Sequence, residues 1–271
     1  MDSLNLAYSP DWSVWGPALP TLLDGLWLTL EISAIVILAS TVLGFPLAVA
    51  RMSKIEVIRW PAQLYIEVFR CTPLLVQLLW VFYGLPALLG VNLPGKLSII
   101  IALTAHLTAF MSETYRAGMQ SVPVEQVEAA QMLRLNRVQI LRHIIVPQAF
   151  RQQIPTILSL NVSMFKDTSL VSALGLADLT FQGNILSSQT YRPMEIFTLV
   201  AVMYFTIAFP ATLFTSYIER RLLTSGSRGA QPPTPGLRGT LGRLRPGQRP
   251  PALANPALKS VAKSALKPEG V

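Results

Sequence analysis

The sequence predicts an all-α polytopic membrane protein with five transmembrane helices and a pair of short helices on the cytoplasmic side. Of the 271 residues, 51% are hydrophobic and 13% are charged, a balance that favours a membrane protein over a soluble domain. Residues 32–50, 71–95 and 196–218 contain no charged side chain, and each stretch approaches or exceeds the ~20 residues of a spanning helix. The stretch 121–147, between hydrophobic segments, is too polar for a bilayer.

The five predicted spans follow one another with identifiable breaks. The first begins near Thr21, places Glu31 at the outer interface and is expected to kink at Pro46. In the second, Pro73 interrupts the helix, and an outer loop rich in glycine and proline covers 84–95. The remaining spans are 97–112, which extends towards Arg116, then 152–165, the weakest of the five, and 196–218.

Two helical spacings within these spans predict ion pairs. Glu67 and Arg70 are three residues apart, and so are Glu113 and Arg116. Side chains at this spacing are neighbours on one helix face. The only cysteine, Cys71, excludes an internal disulfide and is expected to be a small packed residue.

The basic residues predict the orientation, because cytoplasmic loops of membrane proteins are enriched in lysine and arginine. The opposite loops hold Lys96 and Arg192. We therefore expect the amino terminus, residues 1–20, in the periplasm and the carboxyl terminus in the cytoplasm. Residues 223–271, rich in proline and glycine, are expected to form a disordered cytoplasmic tail. The cytoplasmic basic residues are Arg51, Lys54, Arg59, Arg116, Arg134, Arg137, Arg142 and Arg151, with ten more between positions 220 and 267.

The polar stretch 121–147 predicts two amphipathic helices joined by a turn. Pro123 suits a first helical turn, and Asn136 with Gln139 forms the pattern of a capping box for the second helix. Val138, Leu141 and Ile145 are expected to form an apolar stripe, and Pro147 either ends the second helix or starts the next span. From spacing alone, a docking surface for a soluble partner and an interfacial helix without a partner remain equally open.

Several motifs in the same order resemble the permease subunits of ABC importers, in the branch that carries polar amino acids of the histidine and glutamine type. Glu128-Ala129-Ala130, followed by 144–147 (Ile-Ile-Val-Pro), is similar to the EAA loop of that family. The stretches 69–77, 113–123 and 165–172 resemble the same branch. The resemblance implies the type I importer permease fold over about 21–222, and attachment of an ATPase through Glu128, Ala129, Ala130, Arg134, Ile144 and Pro147.

The chain departs from the family pattern at two positions. Arg134 and Glu125 stand where the family usually has glycine. If the turn requires a positive φ at Arg134, arginine costs ~1 kcal/mol or more there. Asn136 tolerates that conformation better and is an alternative centre for the turn.

The resemblance implies partners rather than catalysis by this chain. They are cytoplasmic ATP-binding cassette subunits acting as a dimer, a periplasmic solute-binding protein, a second permease subunit (identical or homologous), a polar amino acid as substrate, and the lipid bilayer. The chain contains no phosphate-binding loop and no nucleophile–base set, with only His106 and His143 available. We expect no cofactor, metal or nucleic acid. Polar residues within spans are the substrate-pathway candidates: Gln77, Glu113, Asn161, Lys166 and Asp167.

Three other functions compete with this interpretation. An ion-coupled secondary amino acid carrier would normally show an inverted repeat of broken helices, and no such duplication is visible. A membrane-embedded enzyme lacks an acid–base pair. A non-transporting membrane scaffold would not need polar residues inside its spans.

Overall fold

The structure, a computed structural model, describes residues 9–226, and these are helical with no β-strand. The last helix continues to Gly226, beyond the predicted start of the tail at Leu223. The rest of the predicted tail and the first eight residues lie outside the described part.

Ten α-helices are described, and turns of other helical types extend several of them. They are α1 (Trp15–Arg51), α2 (Glu56–Cys71), α3 (Leu74–Leu79), α4 (Leu85–Leu89), α5 (Gly95–Gln120), α6 (Val124–Met132), α7 (Arg137–Ile140), α8 (Val146–Asp167), α9 (Leu179–Thr190) and α10 (Pro193–Gly226). A π-helical turn, Trp80–Gly84, joins α3 to α4, and a second, Leu141–Ile145, joins α7 to α8.

Three described helices are long and apolar enough to cross a membrane: α1, α5 and α10. A fourth crossing is possible if α2 and the helical stretch 74–89 form one span, although they bend by 114° at their junction. The weakest predicted span corresponds to α8. With 22 residues it is about 33 Å long, so it has the length of a span but not the apolar composition.

Helix α1 begins at Trp15, earlier than the predicted start of the first span at Thr21. Its 37 residues continue through Pro46 to Arg51, a length of about 55 Å. Glu31 forms an ion pair with Lys96 at the start of α5, with 2.7 Å between Nζ and Oε1. This pair places Glu31 level with the predicted outer loop.

The break between α2 and α3 lies at Thr72 and Pro73, as predicted from the proline. Because Pro73 ends the hydrogen-bond ladder, the last carbonyls of α2 need other donors. Gln77 supplies them, since its Nε2 donates to the carbonyls of Phe69 and Thr72 at 2.8 and 2.9 Å. Cys71, the last residue of α2, is exposed, so the prediction that it is a small packed residue is wrong.

Helix α5 lies at the centre of the fold, packed between α1 and α8. Two glycines allow this close approach. A Cβ at Gly44 would lie 2.7 Å from the Cβ of Met111, and one at Gly118 would lie 2.9 Å from the carbonyl oxygen of Ala149. Small residues at such crossings let backbones approach within a membrane.

Candidate functional site: the helix pair and the charge cluster

The predicted helix pair is present. Helix α6 covers Val124–Met132, preceded by Pro123, and α7 begins at Arg137. The capping box at Asn136 is confirmed. Its side chain accepts from the Gln139 backbone N–H, and the Gln139 side chain accepts from the Asn136 N–H, both at 2.9 Å. Local sequence therefore fixes where the second helix starts.

The turn between α6 and α7 is centred on Arg134, which has φ +55°. Asn136 has φ −77° and ψ 164°, so the alternative turn built around Asn136 is wrong. A non-glycine residue in the left-handed region costs about 1–2 kcal/mol. The chain therefore carries backbone strain at Arg134.

Helix α7 runs into α8 without a break, through the π-helical turn Leu141–Ile145. Pro147 lies in the first turn of α8, where a missing N–H costs little. Of the predicted apolar stripe, Leu141 and Ile145 pack against the core. Helices α7 and α8 are therefore parts of one continuous helical segment.

The predicted coupling residues differ in exposure. Glu128, Ala129, Arg134 and Pro147 are exposed, and Ile144 is half-buried. Ala130 is only 2% exposed, so it packs against this chain and not against an outside partner. The accessible part of the motif is therefore its first two residues and the turn.

Three apolar side chains of the helix pair are strongly exposed. Two of them, Met132 and Leu133, were not singled out from the sequence, and the third, Val138, was predicted to share a stripe with Leu141 and Ile145 but does not pack with them. Met132 and Leu133 are 85% and 77% exposed, and Val138 is 71% exposed. We call these three residues the apolar tip. Their signal in the sequence was the pair of large apolar residues directly before the turn. Exposed apolar side chains beside a polar rim are typical of protein interaction sites.

The helix pair is braced against the transmembrane helices. Gln148 on α8 donates its Nε2 to Oε1 of Gln126 on α6, at 2.7 Å. Ser121, just before α6, hydrogen-bonds to Gln152 on α8. At the same end, α8 contacts α5 through the close approach at Gly118. The helix pair and the adjoining ends of α5 and α8 are thus joined by direct contacts.

A cluster of charges joins three helices. The carboxylate of Glu113 on α5 lies 3.2 Å from Nε of Arg51, 3.7 Å from Nη1 of Arg70 and 2.8 Å from Nη2 of Arg116. The side chain of Glu113 is 13% exposed. Arg51 also lies 3.5 Å from Glu67. We call these five residues the charge cluster. It fastens the carboxyl ends of α1 and α2 to α5.

The two ion pairs predicted from helical spacing have different outcomes. Glu113 and Arg116 do pair. Glu67 and Arg70, in contrast, reach partners on other helices, Arg51 and Glu113 respectively. The ion pairs between helices replace the local pair because Arg51 at the end of α1 and Glu113 on α5 lie within reach of the last turns of α2.

The structure places the substrate-pathway candidates at separate positions. Gln77 is buried, and its Oε1 lies 2.9 Å from Nδ1 of His106. The Nε2 of Gln77 donates to backbone carbonyls, so its Oε1 is the acceptor that faces His106. His106 therefore donates from Nδ1. Asn161 lines a cavity of about 220 Å³ between α8 and α10. Lys166 is exposed, and Asp167 accepts from Ser163 at 3.5 Å.

These features define a multi-pass helical membrane protein with a helix pair that exposes apolar residues beside an ion-paired end of the bundle. The family model for binding-protein-dependent transport system inner membrane components matches residues 26–224. The chain belongs to this family, and it is a permease subunit of an amino acid ABC transporter of the inner membrane. The predicted family and the type I importer permease fold are confirmed.

Relatives of known assignment include the glutamate/aspartate import permease GltK of Escherichia coli O6:H1. It is 36% identical over 79% of this chain and 99% of its own length. The arginine transport permease ArtQ of Bacillus subtilis is 30% identical over 78% of this chain and 97% of its own. A solved amino acid ABC transporter with histidines matches with a TM-score of 0.74 and 34% identity, over 79% of this chain and all of its own.

Proposed function

We propose that this subunit imports a polar amino acid, or a close relative of one, and is driven by a separate ATPase bound at the helix pair. The observation that carries the proposal is the apolar tip, Met132, Leu133 and Val138, on a capped helix pair that is continuous with α8. Similar permeases are named for glutamate and aspartate, for arginine and for octopine. All four solutes carry the charged groups of amino acids, which supports the substrate class.

Coupling follows from the contacts. When ATP closes the ATPase dimer, a subunit bound to the apolar tip moves α6 and α7 together. Helix α8 moves with them because α7 runs into it, and α5 follows through Gly118. The charge cluster keeps the ends of α1 and α2 attached to α5 during this movement. Two arrangements of the bundle then alternate, with their relative populations set by ATP.

The orientation places the helix pair in the cytoplasm and the residues before α1 in the periplasm. The basic residues around the helix pair support it. A solute-binding protein then delivers the amino acid to the outer side. A second permease, identical or homologous, completes the pathway, because one chain with so few spans cannot enclose a pore. The substrate-pathway candidates stay Gln77, Glu113, Asn161, Lys166 and Asp167.

The test is uptake of labelled amino acids by proteoliposomes that contain the full transporter and its binding protein. We expect uptake when ATP is supplied on the side of the membrane where the ATPase is bound. We expect none when a proton or sodium gradient is the only energy source. Uptake driven by a gradient with the ATPase inhibited would instead support an ion-coupled carrier. No solute movement under either condition would favour a scaffold.

Variants locate the coupling surface. Ala129→Trp and Leu133→Ser should abolish or strongly reduce ATP-driven uptake while the protein still inserts in the membrane. Val57→Ser is the matched control, because Val57 is 82% exposed and lies on α2, away from the helix pair. Equal uptake by Leu133→Ser and Val57→Ser would contradict attachment of the ATPase at the apolar tip.

A further inference from the structure

A cavity of about 460 Å³ opens between the start of α8 and the end of α10. It is lined by Arg151, Phe214, Tyr217, Ile218, Arg221 and Leu222. Two guanidinium groups, one from each helix, therefore share a cavity whose other described walls are aromatic and aliphatic. None of its described lining residues belongs to the helix pair, the charge cluster or the substrate-pathway candidates, although Phe214 also lines the cavity beside Asn161.

The charges of this cavity favour an anion. The guanidinium of Arg221 lies 5.9 Å from the ring centroid of Tyr217, so the ring positions it at the cavity. Guanidinium groups bind phosphate oxygens through paired N–H donors.

The apolar walls favour a ligand with a hydrocarbon part. Phe214, Leu213 and Phe209 are 56%, 54% and 46% exposed along α10. They extend from the cavity into the stretch of α10 that is apolar enough to span the membrane. A soluble anion would leave this surface uncovered, whereas an acyl chain covers it. Basic cavities at the ends of membrane helices suit anionic headgroups.

We propose that this cavity binds an anionic phospholipid, with its phosphate at Arg151 and Arg221 and an acyl chain along Phe214 and Leu213. A zwitterionic lipid presents the same phosphate, but its positively charged ammonium group is repelled by the two arginines. The preference therefore comes from net headgroup charge. Because α8 and α10 both contribute, a bound lipid ties the two helices together at the end that carries the basic residues.

The test uses fluorescence quenching in nanodiscs with Phe214→Trp in the full-length chain, co-purified with its partners. The unsubstituted protein gives the background of its five tryptophans. Brominated phosphatidylglycerol should quench the added tryptophan in preference to brominated phosphatidylcholine. Arg151→Gln and Arg221→Gln should each lower that preference roughly fivefold, from about 1 kcal/mol per basic residue.

The controls separate this site from general attraction and from misfolding. Arg59→Gln removes an exposed arginine on α2 and should leave the preference unchanged, and Arg151→Lys should keep most of it. Equal quenching by both lipids of the Phe214→Trp protein with both arginines present would overturn the proposal. So would loss of the preference on adding inorganic phosphate, which would indicate a soluble anion, or no quenching by either lipid, which would indicate a protein chain over the cavity.

Discussion

Arg134 shows how one residue can keep the geometry of a turn at an energetic cost. Its φ of +55° lies in the region that glycine adopts freely. The capping box at Asn136 and the hydrogen bond from the Arg134 N–H to the Gln131 carbonyl, at 2.9 Å, hold the turn on both sides. The turn therefore survives without glycine.

Arg134→Gly should relieve this strain and raise the free energy of unfolding by about 1 kcal/mol. For a chain of this size, the thermal midpoint in detergent should rise by about 2–4 °C. Arg134→Lys is the control, since it keeps both the charge and a Cβ, and should leave the midpoint unchanged. A midpoint that falls in Arg134→Gly would show that the side chain stabilises the turn more than its backbone strains it.

Glu113 is the residue on which the charge cluster depends. It carries the carboxylate shared by Arg51, Arg70 and Arg116, and it is mostly buried. Removing one partner of a buried ion pair is costly because the other charges lose their compensation. Three guanidinium groups would face one another if this carboxylate were neutral.

Glu113→Gln should therefore lower the free energy of unfolding by about 3–5 kcal/mol. The measurement is thermal unfolding of the detergent-purified transporter. Glu67→Gln is the matched control, because Glu67 is 46% exposed and pairs at 3.5 Å. A pair at that exposure contributes at most about 1 kcal/mol. Similar losses in both variants would contradict the central position of Glu113.

At the level of elements, the contact between α5 and α8 connects the end of the bundle beside the helix pair to the central helix. Gly118 makes it possible, since a Cβ there would also lie 2.5 Å from Cγ of Gln153. The facing carbonyl of Ala149 belongs to helical backbone, which cannot move aside as a flexible side chain can. The two helices must separate to admit a methyl group.

Gly118→Ala should destabilise the transporter by about 1–3 kcal/mol, the usual cost of overpacking. Gly16→Ala makes the same chemical change on α1, where nothing lies within 4 Å of the added Cβ, and should cause no loss. Thermal unfolding compares the two. A Gly118→Ala protein as stable as Gly16→Ala would indicate that α5 and α8 lie farther apart than described.

Elements were predictable where their signals are local. Pro73 predicted the break after α2, and Asn136 with Gln139 predicted the start of α7, because both signals act within one helical turn. The partners of Glu67 and Arg70 were not predictable, since they lie on other helices. The exposure of Met132 and Leu133 was missed because apolar residues are ordinarily expected to be buried.

At the scale of the whole molecule, hydropathy located α1, α5 and α10 but could not describe α8 or the bend between α2 and α3. Helix α8 is polar for a span because it packs on α5 and α1 rather than facing lipid alone. The substrate-pathway candidates were chosen one at a time for their polarity. They lie apart because polar residues in spans also serve structural needs, as Gln77 does at the end of α2.

The proposed coupling requires that the ATPase attaches at the apolar tip. The direct measurement is crosslinking from Leu133→Cys in a Cys71→Ser background, with the complete transporter in membrane vesicles. We predict a crosslink to the ATP-hydrolysing subunit whose yield changes when ATP binds, and no labelling by an impermeant thiol reagent from the periplasmic side. Labelling from that side, or a crosslink to the solute-binding protein in place of the ATPase, would contradict the account.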